Sequence, residues 1–438
     1  MLNLSIRSEN TINEIVEHYS AMHSKGRNRN AAIVAILLFL SVLIGYLVRV
    51  CLSVAIPFIA EDFNWTTAQT GSLGGLLLGV FLIGYGLSNI FLGPMLDCFG
   101  PRKGIIIAVA TWSIFTLLTG LVGMYYAAFV LLRVSLGLSQ GPLFPSASRA
   151  IQAWYPPRMR SRMNSLYHSS TSLSNLLSPL LLLPLIMATS WNFMFIVLAV
   201  AGFVLLIPIW KYLQDTPEGP IECEDESIRA NLKITIGNLR AAMKVKGLKT
   251  LIIAKILETQ VWWGLSLWLP TFLMMARGFS SEELIWAASL PYLGSFAGLA
   301  IGSYLSDRTG HRAAITASFL TMSAISLIFV TQAHEKLEVI VALAVVFFFL
   351  SVMGPNVFTM LQGTCKSRLT CTATGLVNGI SNGVGALGPI LFGAIASTTG
   401  SYDSALPLMI ILLIISAVVI FRFRIYEIPL DELNELEQ

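Results

Sequence analysis

The sequence has little charge for its length. Asp, Glu, Lys and Arg together make up 12% of its 438 residues, whereas 55% are hydrophobic and the mean hydropathy is +0.73. Soluble domains carry about 25% charged residues. The composition therefore excludes a soluble globular protein of this size and favours a chain that resides in lipid.

Cysteine and histidine are also scarce, and neither forms a pattern. The five cysteines have no metal-binding or disulfide spacing, so we predict unpaired thiols. The five histidines do not cluster, and no segment resembles a catalytic nucleophile with its base or a nucleotide-binding loop. The sequence predicts neither an enzyme nor a site for a metal or cofactor.

Long apolar runs occupy most of the chain. A helix needs about 20 apolar residues to cross a hydrocarbon core of about 30 Å, and the runs lack the polar alternation of barrel strands. We predict an all-α membrane protein with twelve transmembrane helices, called spans one to twelve. They are expected to begin near Ala31, Gly71, Gly104, Tyr125, Arg162, Trp191, Thr250, Leu284, Ala313, Val339, Cys371 and Ser404.

The cations are distributed unevenly between the connecting segments. If the chain begins in the cytoplasm, the outer segments hold only Arg277 and Lys336. Because Lys and Arg translocate poorly, both termini are predicted to be cytoplasmic. The net charge of +4 then reflects topology and does not indicate a nucleic-acid partner. The polar segment 1–30 is too long for the start of a cleavable signal, so span one is expected to direct insertion.

A charged motif and several prolines occur twice. Asp-x-x-Gly-x-Arg is present after span two and again after span eight, as Asp97, Gly100, Arg102 and Asp307, Gly310, Arg312. Pro57, Pro179 and Gly141-Pro142 recur in nearly the same register as Pro270, Pro389 and Gly354-Pro355. The register predicts two six-helix repeats, with a substrate site between them. The predicted boundaries are a cytoplasmic segment at 1–30, bundles at 31–213 and 250–426, a cytoplasmic linker at 214–249 and a cytoplasmic tail at 427–438.

The linker combines polar and apolar residues. Apolar residues follow helical spacing beside basic ones at Ile228, Leu232, Ile236, Leu239 and Met243. The pattern predicts either an amphipathic helix in contact with lipid at the inner membrane surface or a solvated linker helix.

With this duplicated plan, the chain resembles the major facilitator superfamily over its whole length. The two Asp-x-x-Gly-x-Arg loops match that superfamily's best known signature. The resemblance implies the major facilitator fold and two loops that lock the halves together on the cytoplasmic side in one state. The gate residues that it implies are Gly93, Asp97, Arg102, Lys103, Asp307, Arg308 and Arg312. The alternative is that these residues only fix the topology.

Two arginines are expected inside the membrane. Arg49 lies eight residues before Pro57 in span one, and Arg133 lies eight residues after Tyr125 in span four. At 1.5 Å per residue, both lie about 12 Å below the outer surface. We predict that the two guanidiniums converge on one anion, since their planar forks suit carboxylate or phosphate. Pairing with an internal carboxylate is the alternative, but the first half offers only Asp97, at the membrane edge.

The surroundings of Arg49 and Arg133 resemble the anion:cation symporter family, which carries sugar acids, other organic anions and, in some branches, phosphate. The resemblance rests on Tyr46-Leu47-Val48-Arg49, Ser53-Val54-Ala55, Arg133, Gln140 and Pro145. The family pattern has Asp before the first arginine and often Glu seven residues after the second, where this chain has Val48 and Gln140.

A second resemblance is to the organophosphate:phosphate antiporters. It rests on the Val-Arg pair, Tyr85-Gly86, Asn89 and Gln140-Gly141. That family expects a further arginine in span seven, where this chain has Trp262.

Because Val48 and Gln140 stand where the anion:cation symporter pattern has acids, the cavity carries two fixed positive charges, Arg49 and Arg133. An anion would neutralise them and ease reorientation, which favours anion exchange or facilitated movement. Lys255 and Glu258 in span seven are coupling candidates. Their spacing permits an ion pair, and a purely structural pair is the alternative to a proton or substrate role.

Further polar and aromatic side chains are predicted to complete the site. The predicted substrate-binding residues are Arg49, Arg133, Tyr46, Gln140, Tyr167, His168, Trp262, Asn356, Asn378 and Asn382. For the histidine, packing is the alternative, and for the asparagines it is hydrogen bonding between helices.

The sequence therefore predicts a secondary transporter of a small organic anion, such as a sugar acid or other carboxylate, in the inner membrane of a bacterium. Proton symport and anion exchange are both open, and protons or a counter-anion are the expected co-substrates. The alternatives are an organophosphate/phosphate exchanger and a non-transporting membrane anion sensor. A monomer is expected.

Overall fold

The computed structural model describes residues 2–155, 157–217, 219, 237, 239–364 and 367–426. The side chains of 2–28, 92–99, 152, 157–162, 164, 165, 168, 307, 362, 363 and 367–371 are not among those described. Within these ranges, helices joined by short connections make up nearly all of the chain.

The first half includes two long elements, of which Gly75–Val122 joins two helices across a kink at Gly100. The bounds of the helices in this half are Leu2–Asp62, Thr67–Gln69, Thr70–Gly74 (a π-helix), Gly75–Val122, Tyr126–Gln140, Leu143–Trp154, Pro157–Ala188 and Trp191–Tyr212. The second half has more and shorter helices. They are Leu248–Arg277, Ser281–Ala287, Pro291–Thr309, Arg312–Gln332, Lys336–Leu350, Met353–Thr364, Ser367–Gly385, Leu387–Thr399, Tyr402–Ala405 (3₁₀), Leu406–Phe421 and Arg422–Tyr426 (3₁₀).

Eleven helical segments of the described residues are long and apolar enough to cross a membrane. They are Arg29–Asp62, Thr67–Phe91, Gly100–Val122, Tyr126–Ile151, Ser169–Ala188, Trp191–Tyr212, Ser281–Ser306, Arg312–Gln332, Lys336–Leu361, Thr372–Thr399 and Tyr402–Tyr426. They correspond to every predicted span except span seven.

Span seven is the helix Leu248–Arg277. Its 30 residues are enough to cross a membrane, but Lys255, Glu258 and Gln260 interrupt its apolar run. Glu258 and Gln260 are buried, which places the polarity of this helix inside the protein.

Several spans begin or end at sequence-encoded caps. Thr66 and Ser280 form capping boxes at the starts of spans two and eight, and the Ser190 hydroxyl caps span six. Gly278 ends span seven in a left-handed conformation with φ of 65°.

The spans form two bundles, and among the described residues three pairs of helices make the most extensive contacts between them. Span one packs against span seven, span two against span eleven and span five against span eight. The contact between spans two and eleven is close because glycines face each other. A Cβ on Gly86 would lie 2.6 Å from the Cα of Gly383, so a larger residue would force the bundles apart.

Arg277 and Lys336, the two cations predicted to lie in outer segments, are both paired with acids. Arg277 donates to both carboxylate oxygens of Asp403, at 2.7 and 2.5 Å, and Lys336 donates to Glu283. These pairs join separate connections of the second bundle.

The first bundle extends beyond the end of span six. The Trp154 indole donates to the Gln214 carbonyl at 3.2 Å, and Asp215 is 2% exposed. The start of the predicted linker is therefore packed on the first bundle. Most of the predicted linker helix, including Ile228, Leu232 and Ile236, lies outside the described residues, as does the tail at 427–438.

Candidate functional site

The Arg49 guanidinium lies in an aromatic box inside the first bundle. Its central carbon is 4.1 Å from the ring centre of Tyr85, 4.8 Å from Tyr46 and 5.3 Å from Phe81. Arg49 is 4% exposed. At these distances the negative ring faces attract the cation, but they do not neutralise it.

Gln140 supplies the hydrogen-bond acceptor for Arg49. Nε and Nη2 of Arg49 both donate to Gln140 Oε1, each at 3.2 Å. Gln140 Nε2 donates to the Gly45 carbonyl at 2.8 Å, which fixes the amide with its oxygen towards the arginine. The partner is neutral, so it supplies no counter-charge to Arg49.

Arg133 contacts the same ring system. Its guanidinium carbon is 5.1 Å from the Phe81 ring centre, and Nη2 donates to the Arg49 carbonyl at 3.4 Å. Arg133 is 1% exposed, and its Nε and Nη1 atoms have no hydrogen-bond partner. Both guanidiniums thus contact one phenyl ring, as expected from their equal depth.

Neither arginine has a carboxylate partner among the described side chains. A buried arginine costs several kcal/mol unless it is paired, and leaving a buried donor unpaired adds about 1–3 kcal/mol. Two uncompensated guanidiniums, one with two free donors, form an arrangement that an anion would complete.

A chain of aromatic and amide side chains links Arg49 to the second bundle. Tyr46 stacks on Trp263 with ring centres 6.3 Å apart. The Trp263 indole donates to Asn382 Oδ1 at 3.0 Å, and Asn382 Nδ2 donates to Asn378 Oδ1 at 3.0 Å. The structure therefore brings Tyr46, Asn378 and Asn382 into one network across the interface.

Trp263 is a residue of this network that the predicted binding residues do not include. Its neighbour Trp262, which they do include, packs edge-on against Phe347 of span ten, with ring centres 5.6 Å apart, and also lies beside the Tyr46 side chain. Successive residues on a helix point about 100° apart. The sequence offers two adjacent tryptophans and no signal that both reach Tyr46.

The remaining predicted binding residues are more dispersed. Tyr167 is 4% exposed and packs on Phe144, which itself lies 6.0 Å from the Arg49 guanidinium. Asn356 donates to Ser306 Oγ and Thr316 Oγ1, at 2.7 and 2.9 Å, inside the second bundle. The side chain of His168 lies outside the described residues. Tyr167 therefore belongs to the aromatic wall, and the described contacts of Asn356 tie spans eight, nine and ten together.

Lys255 and Glu258 form an ion pair in span seven. Lys255 Nζ lies 2.6 Å from Glu258 Oε2, and the Thr259 hydroxyl donates to the same oxygen at 3.3 Å. Glu258 is 2% exposed. The pair contributes no net charge to the interior.

The first signature loop is fastened to the end of span six. The Arg102 backbone N–H donates to Asp215 Oδ1 at 2.8 Å, and Arg102 Nη2 donates to the Trp210 carbonyl at 2.6 Å. Gly100 has φ of 77°, and a Cβ there would lie 2.6 Å from Asp215 Oδ1. Only glycine fits this position without strain. Asp215 is a second residue that sequence reasoning missed, since it was read as the start of a linker.

The other predicted gate residues are described less completely. Lys103 is exposed, and Arg308 Nη1 donates to the Tyr304 hydroxyl at 3.4 Å. Arg312 begins the helix of span nine. The side chains around Gly93 and Asp97, and that of Asp307, lie outside the described residues. Their gating role stays a prediction.

Comparison with known proteins identifies the family. The sequence profile of the Major Facilitator Superfamily matches residues 38–387 and 251–437. This chain belongs to the Major Facilitator Superfamily. The predicted fold, with twelve transmembrane helices in two six-helix repeats, is confirmed, and the protein is a multi-pass membrane transporter rather than an enzyme.

Curated relatives place it with transporters of the anion:cation symporter type. A probable sulfoacetate transporter of Cupriavidus necator is 31% identical over 84% of this chain and 87% of its own length. The hexuronate transporter of Bacillus subtilis is 26% identical over 89% of this chain and 94% of its own.

Solved structures share the fold. An inward-facing bacterial homologue of the human lysosomal transporter Spinster has a TM-score of 0.71 at 16% identity, covering 91% of this chain and 98% of that one. A D-xylose–proton symporter gives a TM-score of 0.71 at 14% identity, covering 89% of this chain and 97% of that one.

Proposed function

We propose that this superfamily member moves a small organic anion across a bacterial inner membrane by alternating access. The observation that carries the proposal is the buried pair Arg49 and Arg133, which share the Phe81 ring and have no carboxylate partner among the described side chains. The relatives, which include transporters named for sulfoacetate, hexuronate and L-galactonate, support an organic acid as cargo.

Anion exchange is the mode of transport that this charge distribution favours. With no acid beside the arginines, the empty site holds uncompensated charge, which raises the cost of closing it away from water. A bound anion removes that cost, so the loaded carrier reorients more readily than the empty one. Gln140, which contacts Arg49 through a neutral amide, cannot release a proton to couple transport.

The same proposal places both termini in the cytoplasm. In that orientation the unpaired arginines lie near the middle of the membrane, and the loop held by Asp215 lies on the cytoplasmic side. The protein is proposed to act as a monomer, with the two bundles of one chain forming the site.

The test is counterflow in liposomes that contain the purified protein and an unlabelled acid. Labelled gluconate, glucuronate, tartrate and sulfoacetate are offered in turn, and at least one should exchange. Arg49→Lys and Arg133→Lys should each lower the exchange rate about ten- to a hundredfold, because an ammonium cannot donate two parallel hydrogen bonds. Arg277→Lys is the matched control, since Arg277 is already paired with Asp403.

Three outcomes would contradict the proposal. If both lysine variants exchange at the wild-type rate, the arginine pair is not part of the binding site. Thermal stabilisation by an acid without counterflow would indicate a sensor. Strong accumulation driven by a pH gradient, lost in Glu258→Gln, would assign proton coupling to Glu258 instead of exchange.

A further inference from the structure

Spans seven and twelve lie side by side, and span twelve exposes a stripe of apolar side chains. The Ser416 hydroxyl of span twelve donates to the Ala254 carbonyl of span seven at 2.8 Å, which joins the two helices. The exposed apolar residues of span twelve follow helical spacing, at Ile411, Ile414, Ile415, Val418 and Phe421. Exposed apolar side chains on a transmembrane helix contact lipid tails, so this stripe is the face of span twelve that lies against lipid.

A cation continues the lipid-facing surface on each helix. Arg422 lies four residues after Val418 on span twelve. Lys249 lies four residues before Ile253 on span seven, and Ile253 is 50% exposed. Residues four apart share one face of a helix. Because a long basic side chain keeps its stem on apolar surface and its charge among the headgroups, both cations lie at the boundary between lipid tails and headgroups.

The end of the linker packs against the end of span twelve. Gly247 has φ of 80°, and a Cβ there would lie 2.4 Å from Phe423 Cε2 and 3.0 Å from Tyr426 Cδ2. The left-handed conformation and this close approach both require glycine. Phe423 is fully buried, so the contact is part of the packed interior. It fixes the linker residues just before Gly247 beside the last residues of span twelve.

These two segments carry six exposed cations. No ion pair among the described residues involves any of them. Exposed apolar residues occur in the same segments, at Met243 and Ile425. We call the surface formed by the six cations the basic rim. It consists of Arg240, Lys244, Lys246, Lys249, Arg422 and Arg424.

The combination of cations and apolar side chains narrows the class of ligand. A soluble anion would contact the cations and leave the stripe uncovered. A zwitterionic lipid would cover the stripe, but its own ammonium group offsets the attraction between its phosphate and the cations. A phospholipid with a net negative charge matches both features. Each Lys or Arg near an anionic lipid surface strengthens binding about fivefold.

We propose that the basic rim and the adjoining stripe of span twelve form a binding site for an anionic phospholipid. The lipid phosphate lies at the cations, and the acyl chains lie along span twelve. The bound lipid joins the end of the linker to span twelve and thereby stabilises the second bundle. Because Arg49 and Arg133 belong to the first bundle, the inference does not depend on the cargo.

The test is the thermal unfolding temperature of the purified protein in zwitterionic micelles. The protein is titrated with phosphatidylglycerol or with phosphatidylcholine, and only phosphatidylglycerol should raise the unfolding temperature at low concentration. Glycerol phosphate, which has the charge but no acyl chain, should have no effect. Salt at about 1 M should abolish the preference, because it shortens the Debye length to about 3 Å.

Variants at the two helix ends locate the site. Lys249→Gln combined with Arg422→Gln should raise the phosphatidylglycerol concentration at half-effect about twenty-five-fold, through two lost charges. Lys249→Arg combined with Arg422→Lys keeps both charges and should behave as wild type. The matched control is Arg29→Gln combined with Lys211→Gln, which removes two exposed cations from the ends of spans one and six and should leave the titration unchanged.

Three outcomes would overturn the site. Equal stabilisation by the two lipids would mean that the headgroup charge is not recognised. Equal losses in the glutamine variant and in the control would mean that the attraction is spread over the whole surface. The tail at 427–438, which lies outside the described residues, carries five acids. A preference for phosphatidylglycerol that arises only when these acids are replaced by amides would assign the basic rim to the tail instead.

Discussion

In the second bundle the partly buried cation Lys255 is paired with Glu258, and Arg277 is paired with Asp403, whereas Arg49 and Arg133 in the first bundle have only neutral partners among the described residues. The two halves repeat the same helical plan, but they do not repeat this distribution of charge. Symmetry of the fold therefore does not extend to the chemistry of the interior.

The difference assigns separate tasks to the bundles. Under the proposed function, the charge that attracts an anion lies in the first bundle, where an aromatic box surrounds Arg49. The second bundle presents a neutral wall, made of Trp263, Asn378 and Asn382, that closes over the first. A neutral wall can approach or leave the arginines without separating an ion pair, which keeps the electrostatic cost of movement small.

The largest effect is expected from removing an unpaired charge. Arg133→Met should abolish counterflow and, at the same time, raise the thermal unfolding temperature of the purified protein. An unpaired arginine near the membrane centre costs about 3 kcal/mol, which an apolar side chain of similar length recovers. A fall in the unfolding temperature of more than a few degrees would mean that another group compensates the charge of Arg133. The contrast between unpaired cations in the first bundle and paired cations in the second would then be wrong.

A change of opposite sign is expected in the second bundle. Glu258→Gln should destabilise the protein by about 3 kcal/mol, because the partly buried Lys255 loses its counter-charge. Lys255→Met combined with Glu258→Gln should restore most of the loss. The unfolding temperatures of the two variants give the measurement, and a double variant as unstable as the single one would show that the pair is not the cause.

The fold could be predicted from the sequence because helices that cross lipid have distinct sequence patterns. Twelve apolar runs, a biased distribution of cations and the recurring Asp-x-x-Gly-x-Arg loop predict the spans and their duplication. Eleven of the twelve observed starts lie within four residues of the predicted ones, and span six begins at Trp191 in both. The exception is span five, whose apolar part begins at Ser169, beyond the basic segment in which the start was expected.

Residues of the candidate site could be predicted only where the residue type alone is informative. An arginine in an apolar run is conspicuous, so Arg49 and Arg133 were identified, and their equal depth predicted their proximity. Trp263 and Asp215 were not identified, because their roles depend on which way a helix faces and on where the chain returns after span six. Asn356 has the right residue type for substrate binding, but its amide is engaged by Ser306 and Thr316.

The smallest effect is expected from giving the first bundle the acid that it lacks. Gln140→Glu would place a carboxylate about 3.2 Å from Arg49, at the present position of the amide oxygen. When ionised, this carboxylate would compete with the cargo, so the KM for exchange should rise about tenfold, equivalent to one charge-assisted hydrogen bond of about 1.5 kcal/mol. Acidification should reverse the change, because a protonated side chain no longer competes.

The matched control is Gln260→Glu, which adds the same carboxylate in span seven, on the other bundle. Exchange rates measured across a range of external pH distinguish the two variants. If Gln140→Glu alone acquires a pH-dependent KM, the charge of Arg49 is what the cargo neutralises. If both variants respond alike, or neither does, the cargo binds without regard to which bundle holds the charge, and the asymmetry between the halves has no part in recognition.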